Sequence, residues 1–142
     1  MQTKFATLVD YMIAYNKEIR DNFPLSAYHE MSDIEFVEEF CTINCNVGRS
    51  VGKSTYIDRR AGINDLVIVP GHSAKRSGLA TIMTASEVSR IPETYRGRPS
   101  KPKYVNIYVD EPRLCEQYLS REHMYNILVC SKLQTFILLG TP

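Results

Sequence analysis

Two short stretches hold the residues best suited to chemistry. The first is CNVGRSVGKST, Cys45 to Thr55, and the second is YVNIYVDEP, Tyr104 to Pro112. A glycine-rich loop that leads into a helix aims backbone N–H groups at phosphate oxygens, and the positive end of the helix adds to the attraction. Gly52-Lys53-Ser54-Thr55 supplies an ammonium for the β and γ phosphates and hydroxyls for Mg²⁺. In the usual spacing an opening glycine precedes Gly52 with four residues between, at position 47. Val47 stands there, and the glycine is Gly48. A parallel strand ending in Asp110-Glu111 sets both carboxylates at the C-terminal edge of a sheet, beside such a loop. Asp110 is then suited to hold Mg²⁺ through water, and Glu111 to orient and polarise an attacking water. Taken singly, the loop reads also as a chance turn and the acids as a helix cap. Together, and in this order, they favour a phosphate site.

A guanine reader of the type Asn-Lys-x-Asp is absent from the sequence, so ATP is the expected nucleotide. A small-molecule kinase could share the loop, with the basic stretch from Arg90 to Lys103 as its lid. The strand-end glutamate favours water as acceptor. Phe23 and Tyr28, upstream of the loop, are aromatic candidates for stacking on the base, although core packing is the commoner use of such residues.

The elements that must position these residues follow from pattern. Phe5, Leu8, Val9, Met12, Ile13 and Ile19 lie at helical spacings, with Phe23-Pro24 as the stop. Ser32 and Glu35 form a capping box for a short helix running to about Phe40. Cys41 to Cys45 reads as a buried strand. After the loop, Ser54 to Ala61 is expected as a helix with Gly62 as its C-cap. Leu66 to Val69, Tyr104 to Val109 and Phe136 to Leu139 read as strands. Leu79 to Ser89 is ambiguous, with helix among its readings. Ile91 to Lys103, rich in proline and basic residues, reads as an exposed irregular loop. Arg113 to Lys132 is expected to hold a helix, and Ser120 is placed to cap it. Strands that alternate with helical connections argue for a parallel sheet covered on both faces.

Composition sets the outer bounds. The chain has 142 residues, 44% hydrophobic and 23% charged, with a net charge of +1. Those values suit a single soluble domain, and bulk charge does not announce a nucleic-acid binder. The sequence holds neither a secretory signal nor an apolar run long enough to span a bilayer, so no membrane partner is expected and a cytoplasmic location is the default. Cys41, Cys45, Cys115 and Cys130 form no Cys-x-x-Cys pair and read as reduced, mostly buried thiols. Tyr11, Tyr15 and Tyr118 are expected in packing, and His123 at the surface.

The loop resembles the variant phosphate-binding motif (Walker A) of the large terminase subunits of tailed phages. That motif has an arginine three residues before the Gly-Lys pair and dispenses with the early glycine. Arg49 matches the arginine. YVNIYVDE resembles the family's Walker B strand and catalytic glutamate. LVIVPGHSAKRSG stands where the family has the strand and loop after the first helix, and TFILLGTP resembles its coupling motif. The resemblance covers about Cys41 to the C-terminus, and the wider class is that of P-loop ATPases with an additional strand and a catalytic glutamate. It implies a three-layer α/β P-loop NTPase fold, a mainly parallel sheet with helices on both faces. Residues 1–40 would form an N-terminal helical segment packed on an ATPase core of 41–142, within one domain overall.

The same resemblance implies an ATP-driven motor that moves double-stranded DNA into a viral procapsid, in the host cell cytoplasm if the protein is viral. Gly48, Arg49, Ser50, Val51, Gly52, Lys53, Ser54 and Thr55 would surround the phosphates. Ser54 and Asp110 would hold Mg²⁺, Lys53 and Arg49 would stabilise charge on the γ-phosphate, Glu111 would set the water, and Thr141 would couple hydrolysis to movement. Large terminases are several times longer and carry a C-terminal nuclease, which has no counterpart in these residues. The chain is therefore expected to be an excerpt, a split gene product or a reduced stand-alone ATPase. Lys75 and Arg76 in the loop after Leu66–Val69, together with Arg96, Arg98, Lys101 and Lys103, are candidate contacts to DNA or a neighbouring subunit. A homo-oligomeric ring or other packaging proteins are the expected partners. The alternative is a nucleotide-gated interaction protein with little turnover, regulating a DNA replication or packaging partner.

Overall fold

A computed structural model describes residues 4–48, 52–71, 78–92 and 103–141, and the backbone of 94–95 and 98–99. Five strands form one all-parallel sheet: β1 (Thr42–Cys45), β2 (Leu66–Val69), β3 (Thr81–Thr84), β6 (Asn106–Asp110) and β7 (Thr135–Leu139), in the spatial order β1-β7-β6-β2-β3. A minimal antiparallel pair, β4 (Thr94–Tyr95) and β5 (Arg98–Pro99), lies in the basic stretch. The helices are α1 (Lys4–Asp21), α2 (Leu25–Glu30), α3 (Asp33–Phe40), α4 (Lys53–Arg60), α5 (Ala85–Ser89), α6 (Pro112–Cys115) and α7 (Arg121–Leu128). None of the described helices is long and apolar enough to cross a membrane.

Alternation along the strands feeds two cores. Leu66, Ile68, Ile107, Val109, Phe136 and Leu138 point to one face, where α3, α5, α6 and α7 cover them. Ile43, Cys45, Val67, Val69, Tyr108, Ile137 and Leu139 point to the other, under α1 and α4. Strands buried on both sides are mostly apolar, which is why β2 reads as an unbroken apolar run and β7 as one after Thr135. Enclosing a side chain such as Ile107 or Ile137 is worth about 1.5–3 kcal/mol, so the two faces dominate stability.

Polar clamps fix the helices against this sheet. Asp10 on α1 accepts a 2.7 Å hydrogen bond from the Tyr56 hydroxyl and paired bonds from the Arg60 guanidinium, both on α4. The Phe5 ring meets Tyr56 edge-on. Asp65, buried before β2, accepts from the Gly62 N–H at 2.8 Å and from the backbone and side chain of Asn106, so it ties the end of α4 to the start of β6.

Several expectations need correction. α4 ends on Ala61 in extended conformation, and Gly62 adopts no left-handed cap; the Asp65 carboxylate satisfies its N–H instead. Leu79 to Ser89 divides into β3 and α5. Thr84 makes the division, because its hydroxyl and Glu87 form a capping box that starts a helix at the end of a strand. The stretch Arg113 to Lys132, expected to hold a helix, holds two: α7, which Ser120 caps through the His123 N–H as its sequence suggests, and the short α6 before it. α2 was not anticipated; it buries no residue and so shows no apolar period. Tyr11 and Tyr15 stack on each other but are 67% and 54% exposed, and Tyr118 is exposed as well, so these three are not core residues. Phe23 and Tyr28 do pack, with Phe36 and Phe40, in an aromatic cluster beside the core.

Candidate nucleotide site

In a parallel sheet every strand delivers its C-terminal end to the same edge, so β1, β6 and β7 bring Asn46, Asp110 and Gly140 together. Backbone bonds lock these ends. The Gly140 N–H donates to Cys45 O at 2.9 Å, the Glu111 N–H to Leu139 O at 3.0 Å and the Arg113 N–H to Thr141 O at 3.0 Å. β7 thus bridges the strand that leads into the loop and the strand that carries the acids. A cavity of about 680 Å³ opens here, lined by Gly48, Lys53, Ser54, Glu111, Arg113 and Thr141 among others.

Gly48, the displaced opening glycine, has φ +105°, a region that side-chain-bearing residues avoid. Its place in the sequence therefore matches the place where the backbone needs glycine. Gly52 precedes α4, whose first turn presents Lys53, Ser54 and Thr55. The Lys53 ammonium forms an ion pair with Glu111 Oε1 and reaches back to Gly48 O at 3.5 Å. Its side chain is only 11% exposed, against 30% for Glu111. The Ser54 hydroxyl donates to Asp110 Oδ2 at 3.3 Å, and Asp110 is buried. Hydroxyl and carboxylate oxygens side by side are the hard donors that Mg²⁺ accepts, so the residues present fit that ion. Among the described residues there is no cluster of three or more His, Cys, Asp or Glu side chains arranged to hold a metal by themselves.

Glu111 is the one residue other than glycine with positive φ among the described residues, at +54°. The left-handed turn lifts its carboxylate out of line with β6 and toward the loop. Close approach makes this possible: a Cβ at position 140 would lie 2.8 Å from Glu111 Oε2 and 3.0 Å from its carboxyl carbon. Beneath the acids, the buried Cys115 thiol donates to Asp110 O at 3.3 Å. Burial, and the carboxylates of Asp110 and Glu111, push that thiol up to about 12, so it stays protonated and unreactive.

No known protein family, curated protein or solved structure matches the chain. The site is therefore read from its own geometry. Lys53, Ser54, Asp110 and Glu111 come together, with Thr55 and Thr141 on the cavity wall. Arg49, Ser50, Val51, Lys75, Arg76, Arg96 and Lys101 lie outside the described residues. Arg98 belongs to β5, and Lys103 is exposed before β6, at the sheet edge opposite the cavity. Two participants escaped the sequence reading. Gly140 makes room for Glu111, and a glycine directly after a strand was its only signal. Arg113 lines the cavity two residues beyond Glu111, in a stretch that read as ordinary helix.

Proposed function

We propose that the chain binds Mg²⁺-ATP at this sheet edge and hydrolyses it, as a P-loop ATPase of the kind that drives viral DNA packaging. The observation that carries the reading is the joint pairing of Lys53 with Glu111 and of Ser54 with Asp110. Four residues from two distant stretches meet with the partners that phosphate, metal and water require. The position of β7, an additional strand between β1 and β6, agrees with the class that the sequence resembles.

In this reading Lys53 leaves Glu111 for the β and γ phosphates. Glu111 then holds a water in line with the γ-phosphorus and takes its proton as the new P–O bond forms. The bond to the bridging oxygen breaks, leaving ADP and inorganic phosphate. Ser54 and Asp110 would hold Mg²⁺, which supplies charge neutralisation on the phosphates when bound. Thr141, joined to the Arg113 backbone, is placed to pass a change at the acids into the end of β7.

The test is Mg²⁺-dependent ATP hydrolysis with and without double-stranded DNA, for wild type, Lys53→Ala and Glu111→Gln. Turnover that DNA raises and both substitutions abolish is the expected result. Absence of turnover, with nucleotide binding lost only in Lys53→Ala, would overturn the motor reading for this chain alone.

One observation favours a second reading, that of a nucleotide-gated binding module. Leu8, Tyr11, Tyr15 and Ile19 leave an apolar stripe exposed on α1, while Asp10 clamps the same helix to α4 behind the loop. In that case Glu111→Gln keeps the partner interaction, whereas in a motor it stops the work.

A further inference from the structure

The cavity wall holds two described cations, Lys53 and Arg113. Lys53 enters from the loop side and is engaged by Glu111. Arg113 enters from the acidic side, where the neighbouring described carboxylates are engaged by other cations. Glu111 is taken by Lys53, and Glu116, three residues on, is taken by Arg121 at 2.9 Å. No ion pair involving Arg113 is found among the described residues.

Its backbone is nevertheless fixed. Pro112 sets the first helical φ and is buried, and the Arg113 N–H is held by Thr141 O. Glu111 and Arg113 therefore flank a buried proline and both reach the cavity, the one beside Lys53 and the other exposed at the wall. A planar guanidinium with several donors suits a terminal phosphate, which offers three oxygens and the greatest charge.

We infer that Arg113 is the triphosphate-selecting contact of this site: it binds the γ-phosphate and so separates ATP from ADP. The inference rests on the proposed function and names a specificity determinant within it. The two cations divide the work by position, Lys53 gripping the phosphates from the loop and Arg113 from the acidic turn.

The measurement is equilibrium binding, in Mg²⁺, of a non-hydrolysable ATP analogue and of ADP to wild type, Arg113→Ala, Arg113→Lys and Lys53→Ala. Arg113→Ala is expected to weaken the analogue about tenfold, the usual scale for a partly exposed charge-assisted contact, and ADP by less than about twofold. Arg113→Lys should recover part of the loss. Because the side chain is exposed and the fixing bond is made by the backbone, the urea midpoint of Arg113→Ala should match wild type. Equal weakening of both nucleotides, or of neither, overturns the inference while Lys53→Ala still abolishes binding. If wild type binds neither nucleotide, or Lys53→Ala binds both as before, the phosphate site itself is refuted and the inference with it.

Discussion

Replacing Glu111 with glutamine should tighten nucleotide binding while it stops turnover. In the free protein the Lys53 ammonium is committed to Glu111, so on the proposed function a nucleotide must first break that ion pair. An exposed ion pair is worth about 0.2–1 kcal/mol, and removing one partner of a buried pair costs about 3–5 kcal/mol. With side chains 11% and 30% exposed, this pair lies between those limits, nearer the first because Glu111 still meets solvent. Glutamine keeps the shape and removes the charge, so about 1 kcal/mol of competition disappears, equivalent to about fivefold in dissociation constant. ADP is the ligand of choice, because it lacks the γ-phosphate that a charged Glu111 would also repel. Titration of a fluorescent ADP against both proteins reads the change directly. In parallel, kcat for ATP should fall by about 10²–10⁴, the usual worth of a positioned general base. An ADP affinity that is unchanged or weaker in Glu111→Gln would refute the claim that the pair competes with nucleotide.

Gly140→Ala should lower kcat about tenfold or more with nucleotide binding retained, since a Cβ 2.8 Å from Glu111 Oε2 must displace that carboxylate; the positive φ of +126° adds about 1–3 kcal/mol of strain, visible as a lower urea midpoint. Asp10→Ala should cost about 1–3 kcal/mol in urea unfolding by orphaning the buried Tyr56 hydroxyl, and Arg60→Ala less than about 1 kcal/mol, because Arg60 and Asp10 are each about one-third exposed. Stability should also fall in alkali. Burial raises the Cys115 thiol from 9.0 to about 12 and the Tyr108 phenol from 10.0 to about 12, so the folded state holds these protons more tightly than the unfolded chain. Their contribution is complete below about pH 9 and is lost as pH rises toward 12, and Cys115→Ala should flatten the limb that starts near pH 9 in urea midpoints measured against pH.

The strands that form the middle of the sheet were legible because burial on both faces favours runs of apolar residues. β2 and β7 show this directly. β3 was harder, because among the described strands it pairs with β2 alone and it is partly exposed, so its sequence TIMT lacks that uniformity. The meeting of Lys53 and Ser54 with Asp110 and Glu111 was readable from the rule that parallel strands share one C-terminal edge. The left-handed turn at Glu111 was not, because a sequence marks such a backbone only when glycine or asparagine occupies it. Room for the carboxylate that the turn presents comes from Gly140, just after β7, which is distant in sequence and adjacent in space. Exposed Tyr11 and Tyr15 were misjudged for a related reason. A stripe on one helix shows which side is apolar, but not whether a neighbour covers it.

The sheet order also dictates when the site can exist. β1, the strand that leads into the loop, has one neighbour among the described strands, and that neighbour is β7, the last of these along the chain, with Thr42 opposite Phe136. During synthesis, β1 emerges early and then waits. Until residues through Leu139 leave the ribosome, its backbone donors and acceptors have no ladder to join, and nothing holds Gly48 near Asp110. Such a pairing of early and late segments closes a long loop, which makes it a slow step. Nucleotide should therefore bind only a chain translated past β7, and would stabilise the protein at the moment that the early strand docks.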